Sequence, residues 1–205
     1  MRIDIIPVGH MQANCYVVSS LETGGAILID PGDEYDTIKG FLEKKKLTAK
    51  FIVHTHGHID HIQADNQFNL PVYVHKADLP LLMEPDKNLS SFFGSSFKVK
   101  LAPKTVTDTE MLILDDLKLQ VLHTPGHTPG GICLRSDKAV FTGDTLFSGS
   151  IGRTDFPGAS QDELLKSIRE KLLNLPDNTI IYPGHGPAST IGREKKMNPF
   201  LRAEE

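Results

Sequence analysis

Apolar residues in the first thirty positions fall into three short runs, 1–8, 14–19 and 25–30, separated by polar and glycine breaks. Runs this short, bounded by turn residues, predict strands, and the third closes on Asp30-Pro31-Gly32, a strong turn signal. Residues 34–46 change period and predict a helix whose closing lysines suit the negative end of its dipole. Further strands are predicted near 50–54, 71–74, 111–115, 118–123, 131–135, 138–142 and 179–182. The clearest helical pattern lies at 161–174. There Ser160 and Glu163 have capping-box spacing, and Leu164, Leu165, Ile168, Leu172 and Leu173 share one face. Residues 86–100, DKNLSSFFGSSFKVK, are rich in Ser and Phe without a period and predict a mobile surface loop. No repeat, low-complexity segment or linker interrupts the chain, so one domain over residues 1–205 is expected.

Composition narrows the function classes. The 205 residues are 39% hydrophobic and 23% charged, ordinary for a globular protein and enough to bury a sizeable core. Acidic residues number 26 against 22 basic ones, giving a net charge of -4 with no long run of either sign. That balance disfavours nucleic-acid and anionic-membrane partners, which require a basic footprint. No apolar run approaches the ~20 residues that span a bilayer. The opening MRIDIIPVGHMQ has an acid at Asp4 and no apolar h-region, so no signal peptide is expected. Cys15 and Cys133 sit in the apolar stretches NCYVV and GICLR, as expected of buried, reduced thiols in a cytoplasmic protein.

One segment departs from this ordinary picture. VHTHGHIDH, residues 53–61, holds four of the nine histidines. His56 and His58 are two apart, so an extended segment projects both rings to one side, and Asp60 and His61 follow after a turn. Neutral imidazoles and a carboxylate crowd together at little cost when a cation offsets their desolvation. Three other apolar strands end in the same manner: LQVLHTPGH delivers His127, AVFTGD delivers Asp144 and TIIYPGH delivers His185. Loops at one end of a rigid sheet are where sites are built. Five histidines and two aspartates therefore have the means to converge, too many ligands for one tetrahedral ion and enough for two.

The ordered series THGHIDH, HTPGHTPGG, FTGDTLF and YPGHG resembles the metallo-β-lactamase superfamily and, within it, the glyoxalase II-like hydrolases. The resemblance spans residues 8–200 and implies an α+β fold, a four-layer αββα sandwich with the site at one edge of the two sheets. Carried over by position, it implies that His56, His58 and His127 hold one metal, that Asp60, His61 and His185 hold a second, and that Asp144 bridges them. Asp60 and Asp144 are then the catalytic carboxylates, and the metals are two divalent ions, zinc first, iron or manganese next. Asp30 of AILIDPG resembles a position that supports the metal loops, and a plain turn aspartate is the alternative. His10, His54, His75 and His123 are expected to be structural, with His54 and His123 placed to orient ligands. Arg153 of GSIGRTDFPG is a candidate substrate contact or, alternatively, the ion-pair partner of Asp155. Phe92, Phe93 and Phe97 either cover a pocket or pack back onto the core.

Two departures from glyoxalase II bear on recognition. The family's C-terminal helical extension, which brings basic residues to glutathione, has no expected counterpart in the twenty residues after His185. The tyrosine that follows the last histidine motif is absent from His185-Gly186-Pro187-Ala188, as in the compact bacterial glyoxalase II-like proteins. The expected activity is hydrolysis of a small-molecule thioester such as S-D-lactoylglutathione by a metal-bound hydroxide. Two cations lower the pKa of a shared water towards neutrality, and a thiolate leaves with little help from an acid. The alternative is a mononuclear iron persulfide dioxygenase of the same fold. A β-lactamase, a nuclease and a non-catalytic binding module are disfavoured.

Overall fold

The computed structural model describes residues 1–202. The chain begins with β1 (Arg2–Val8), β2 (Ala13–Ser19) and β3 (Gly25–Ile29), an antiparallel meander. Helix α1 (Tyr35–Lys45) then crosses to β4 (Thr48–Val53), which lies parallel to β3. Two one-turn helices, α2 (Ile59–Ile62) and α3 (Asp65–Phe68), lead to β5 (Val72–His75). Helix α4 (Leu79–Met83) precedes β6 (Lys104–Val106), which completes a six-stranded sheet ordered β1-β2-β3-β4-β5-β6. The second sheet opens with β7 (Met111–Leu114), β8 (Leu117–His123), β9 (Ile132–Arg135) and β10 (Ala139–Gly143), each antiparallel to the next in this series. A small hairpin, β11 (Leu146–Phe147) and β12 (Ser150–Ile151), and helix α5 (Gln161–Ser167) follow. Strand β13 (Ile180–Pro183) pairs parallel to β10, β14 (Ser189–Thr190) closes the sheet, and α6 (Ile191–Met197) ends the regular structure.

Side-chain alternation along the strands explains the layering. Tyr16, Val18, Ile27, Ile29, Phe51 and Val53 of the first sheet face Leu119, Val121, Ile132, Leu134 and Phe141 of the second in one buried core. The intervening residues point outward. Val17, Leu28 and Ile52 meet Ile38 and Leu42 of α1, while Leu122, Cys133, Val140 and Ile181 meet Leu164, Ile168 and Leu172. The result is the four-layer αββα sandwich. Both cysteines are free and buried in it.

The structure corrects some sequence expectations. The helix expected over 161–174 is α-helical only to Ser167, after which Ile168–Leu172 form a π-turn that keeps Ile168 and Leu172 on the core; the Ser160 cap forms as expected. Strands β6, β11, β12 and β14 are too short to show a period and went unpredicted. The 86–100 segment is not a bare loop. It contains a 3₁₀ turn at Ser90–Phe93, and buried Asn88 donates to the carbonyls of Leu81 and Phe97. No described helix is long and apolar enough to cross a membrane.

Strand direction positions the site. β8, β10 and β13 run the same way, so His127, Asp144 and His185 all leave the same edge of the second sheet. Β-strand β4 delivers residues 54–61 to that edge from the first sheet, and Ile132 N–H donates to the Thr55 carbonyl across the seam (2.8 Å).

Candidate metal centre

Each ligand-bearing loop is clamped where it leaves its strand. Asp30, at the end of β3, accepts from the backbone N–H (2.8 Å) and the hydroxyl (2.5 Å) of Thr55, which fixes the chain just before His56. On the far side, Tyr16 O–H donates to the Pro183 carbonyl (2.5 Å) and Asn14 N–H to that of Gly184 (2.7 Å), which fixes the chain just before His185.

The seven side chains singled out in the sequence lie together. His56, His58 and His127 form one cluster, and Asp60, His61 and His185 a second, with the ligand atoms of each within 4.8 Å of one another. Asp144 stands between them. One of its oxygens is 3.6 Å from His61 Nε2, the other 3.6 Å from His127 Nε2 and 3.7 Å from His185 Nε2. Facing nitrogens nearly touch: His58 Nδ1 and His127 Nε2 are 3.0 Å apart, His61 Nε2 and His185 Nε2 3.3 Å. A third grouping of Asp30 with His56 and His61 is geometrically possible, but Asp30 already serves Thr55 and His61 from behind.

The outer nitrogens explain the orientation of these rings. A carbonyl or carboxylate only accepts, so the bonded ring nitrogen must carry the proton. His127 Nδ1–H donates to the Arg153 carbonyl (2.7 Å), His185 Nδ1–H to that of Met11 (3.0 Å) and His61 Nδ1–H to Asp30 (3.0 Å). With Nδ1 protonated, Nε2 of a neutral ring is a free lone pair pointing inward. His56 Nε2 and one Asp144 oxygen are buried with no hydrogen-bond partner at all. Unpartnered buried acceptors are costly, and a cation bound between the clusters would satisfy both. The donor set fits divalent transition ions with nitrogen and oxygen ligands.

Charge divides the two clusters. Burial, reinforced by His127, drives the His58 pKa down to about 3, and burial with the neighbouring imidazoles holds His56 far below its usual value. Both rings are neutral. At His61, burial opposes the charge, but Asp60, Asp30 and Asp144 outweigh it and lift the pKa to about 10. His185 is raised as well, its pairing with Asp60 and Asp144 prevailing over burial.

Behind the site, His54 Nε2 is 2.8 Å from Asp65 and its Nδ1 3.5 Å from Asp30. Burial opposes its protonation, but the two carboxylates prevail and raise its pKa to about 9. His75 and His123 stack on each other (3.9 Å between centroids) away from the clusters, and His10 is exposed. Sequence reading missed Asp78. It is fully buried at the end of a 3₁₀ turn after β5 and accepts from Gly57 N–H (3.1 Å), Thr128 O–H (2.7 Å) and Gly130 N–H (2.6 Å). The glycines of HTHGH and HTPGG were the available signal, since they allow a close approach from something.

A cavity of about 590 Å³ opens over Asp60, Asp144 and His185, walled by Phe92, Phe93 and Phe156. Phe97 instead packs against the core beneath α1. Arg153 reaches the cavity rim, yet both its Nε and an Nη donate to Asp155 (2.9 and 2.7 Å), and its guanidinium lies over Phe156, 4.4 Å from the ring centroid.

Residues 8–185 match the metallo-beta-lactamase superfamily. Among curated relatives, the chain is 40% identical to hydroxyacylglutathione hydrolase GloC of Haemophilus influenzae, covering 100% of both chains. It is 37% identical to the probable metallo-hydrolase YqgX of Bacillus subtilis, over 96% of this chain and 95% of that one. Among solved structures, it resembles the B3 metallo-β-lactamase BLEG-1 (TM-score 0.93, 38% identity, 98% and 100% of the chains). It also resembles TTHA1623 in a di-iron-bound form (TM-score 0.85, 37% identity, 97% and 100%). ETHE1 from Myxococcus xanthus is a further neighbour (TM-score 0.82, 28% identity, 97% and 84%). With the sandwich, the strand-end ligands and these similarities in agreement, the chain belongs to the metallo-β-lactamase superfamily.

Proposed function

We propose that the protein is a binuclear metal-dependent hydrolase of thioesters, S-D-lactoylglutathione among them. The observation that carries this reading is the position of Asp144, within 3.7 Å of imidazoles from both clusters and with an oxygen left unpartnered. In this reading His56, His58 and His127 hold one ion, Asp60, His61 and His185 the other, and Asp144 spans both. Two divalent cations so held would activate water for attack at neutral pH and polarise a carbonyl.

The chain's own residues do the rest. Outer hydrogen bonds from His61, His127 and His185 fix the ring orientations before substrate arrives. Phe92, Phe93 and Phe156 line the cavity beside the clusters and offer apolar surface to the uncharged part of a substrate. A thiolate leaves without a proton, and neither cysteine is placed to donate one: both are buried in the sandwich. Arg153, at the rim, serves as the contact for an anionic thiol portion.

The similarity to GloC supports this substrate class, and the similarity to BLEG-1 and to ETHE1 defines what must be tested beside it. The experiment is elemental analysis of the purified protein followed by a substrate panel of thioesters, a β-lactam and glutathione persulfide with oxygen uptake recorded. Two metal ions per chain and thioester turnover are expected. A single iron with oxygen consumption would establish the dioxygenase instead, and β-lactam turnover without thioester turnover would establish a lactamase.

A further inference from the structure

Each ligand cluster has one buried carboxylate behind it, and the two are not equivalent. Asp30, behind His61, faces protonatable rings on both sides, His54 at 3.5 Å and His61 at 3.0 Å. Asp78, behind the three-histidine cluster, is bonded only to neutral donors: two backbone N–H groups and a hydroxyl. Among the described residues no Lys or Arg pairs with it; burial pushes its pKa up, and the three donors, which between them occupy both carboxylate oxygens, oppose that shift. A fully buried carboxylate without a cation is a costly thing to keep, and hydrogen bonds from neutral groups offset only part of that cost.

The donors identify what offsets the remainder. Gly57 lies between His56 and His58, and Thr128 and Gly130 follow His127, so a single carboxylate holds the two loop segments that carry all three candidate ligands. The grip depends on bare backbone: a Cβ on Gly130 would stand 2.7 Å from an Asp78 oxygen, and one on Gly57 would stand 2.5 Å from Leu81 Cβ. Within the cluster, burial holds His56 and His58 neutral. The other cluster has Asp60 within it and Asp30 behind it. The three-histidine cluster contains no carboxylate of its own; it shares Asp144, and Asp78 lies behind the loops of all three histidines.

We propose that Asp78 is the counter-charge of the three-histidine cluster, a positioning residue that sets how tightly His56, His58 and His127 hold a cation. The inference rests on the reading of these clusters as a metal centre, and it orders the two sites. The Asp60–His61–His185 cluster keeps its ion when Asp78 is neutralised, and the three-histidine cluster does not.

The test is Asp78→Asn in the full chain, which keeps the volume and removes the charge. Zinc affinity of one site is expected to fall at least ~10-fold, as for loss of an outer partner of a metal ligand. After dialysis against a competing chelator the variant should retain about one ion where the parent protein retains two. The gap in melting temperature between metal-loaded and metal-free protein should narrow, because the charge matters most when the ion is present; Asp78→Glu should restore most of it. Thr128→Val removes one of the three struts and leaves the charge, so both ions should stay, and this variant decides the matter even where Asp78→Asn fails to fold. Two ions held at parental affinity by Asp78→Asn would overturn the proposal. So would an equal fall in the loaded and metal-free melting temperatures, or loss of an ion from Thr128→Val, since either makes Asp78 a bracket and nothing more. A parent protein that takes up no transition metal would overturn the metal centre itself, and this inference with it.

Discussion

On the floor of the site, His56, His61 and Asp30 are at most 2% exposed, and each is tied to a strand end; on the rim, Phe92 is 80% exposed and Phe93 63%. The floor is a fixed constellation in which His61, His127 and His185 each have an outward-facing anchor. The rim is a set of side chains attached to loops, including an Arg153–Asp155 pair with both partners about two-thirds in solvent. Rigid placement of charge governs chemistry, and adaptable surface governs recognition. The contrast therefore predicts that floor substitutions abolish turnover or stability, and that rim substitutions redistribute substrates.

The largest effect is expected at Asp144. Asp144→Ala should release one metal ion and lower turnover by at least ~10²-fold, the scale of removing a main electrostatic group. Metal content and kcat measured together check this, and near-normal turnover in a metal-replete variant would sink the bridging role. Next is His54, a buried cation between Asp65 and Asp30. His54→Leu leaves Asp65 without its imidazole partner and Asp30 with His61 and Thr55 alone, and breaking such a buried pairing costs about 3–5 kcal/mol. Denaturant unfolding of metal-free protein reads that loss directly, and a change below 1 kcal/mol, a threshold set well under that range, would show that the pairing is not maintained in solution.

Rim changes should be smaller and selective. Arg153→Ala should raise KM for glutathione thioesters a few-fold, with metal content and hydrolysis of a small neutral thioester unchanged; Asp155 already neutralises the guanidinium, so the effect is limited. Equal losses on both substrates would make Arg153 a support for the fold. The smallest expected effect concerns His75. Burial, with a contribution from stacked His123, lowers its pKa to about 4 from an ordinary value of 6.5. The unfolded chain therefore binds the extra proton first. His75's neutral packing stabilises the fold fully above pH 6.5, and that contribution is lost as pH falls from 6.5 towards 4. His75→Phe should flatten the acid limb of the stability curve in that window, and an unchanged limb would show that other groups set it.

The floor is legible in the sequence for a physical reason. Apolar runs ending in a turn and a His or Asp signal both the strand and what it delivers, and the shared direction of β8, β10 and β13 brings those ends to one edge. The four layers are legible through alternation, as in Tyr16 and Val18 facing in while Val17 faces out. Asp78 is not legible, because HKADLP carries no spacing signal. Its role arises only where β5 ends near the HTPGG turn, fifty residues on from Asp78. The rim is illegible for the same reason: Phe92 and Phe97 are five residues apart, yet one walls the cavity and the other joins the core. The π-turn at Ile168–Leu172 hides because Ile168 and Leu172 preserve a helical face.

The seam between the sheets has a mechanical consequence. His61 comes from the first sheet and His185 from the second, 124 residues later, and their ring nitrogens meet across the gap. An ion held there fastens the two halves of the sandwich as a clasp fastens two covers. It would close a long loop late in synthesis, once β13 has emerged, and would add to the apolar faces and the few seam hydrogen bonds, Ile132 to Thr55 and Tyr16 to Pro183 among them, that otherwise resist shear when the molecule is pulled or threaded from either end.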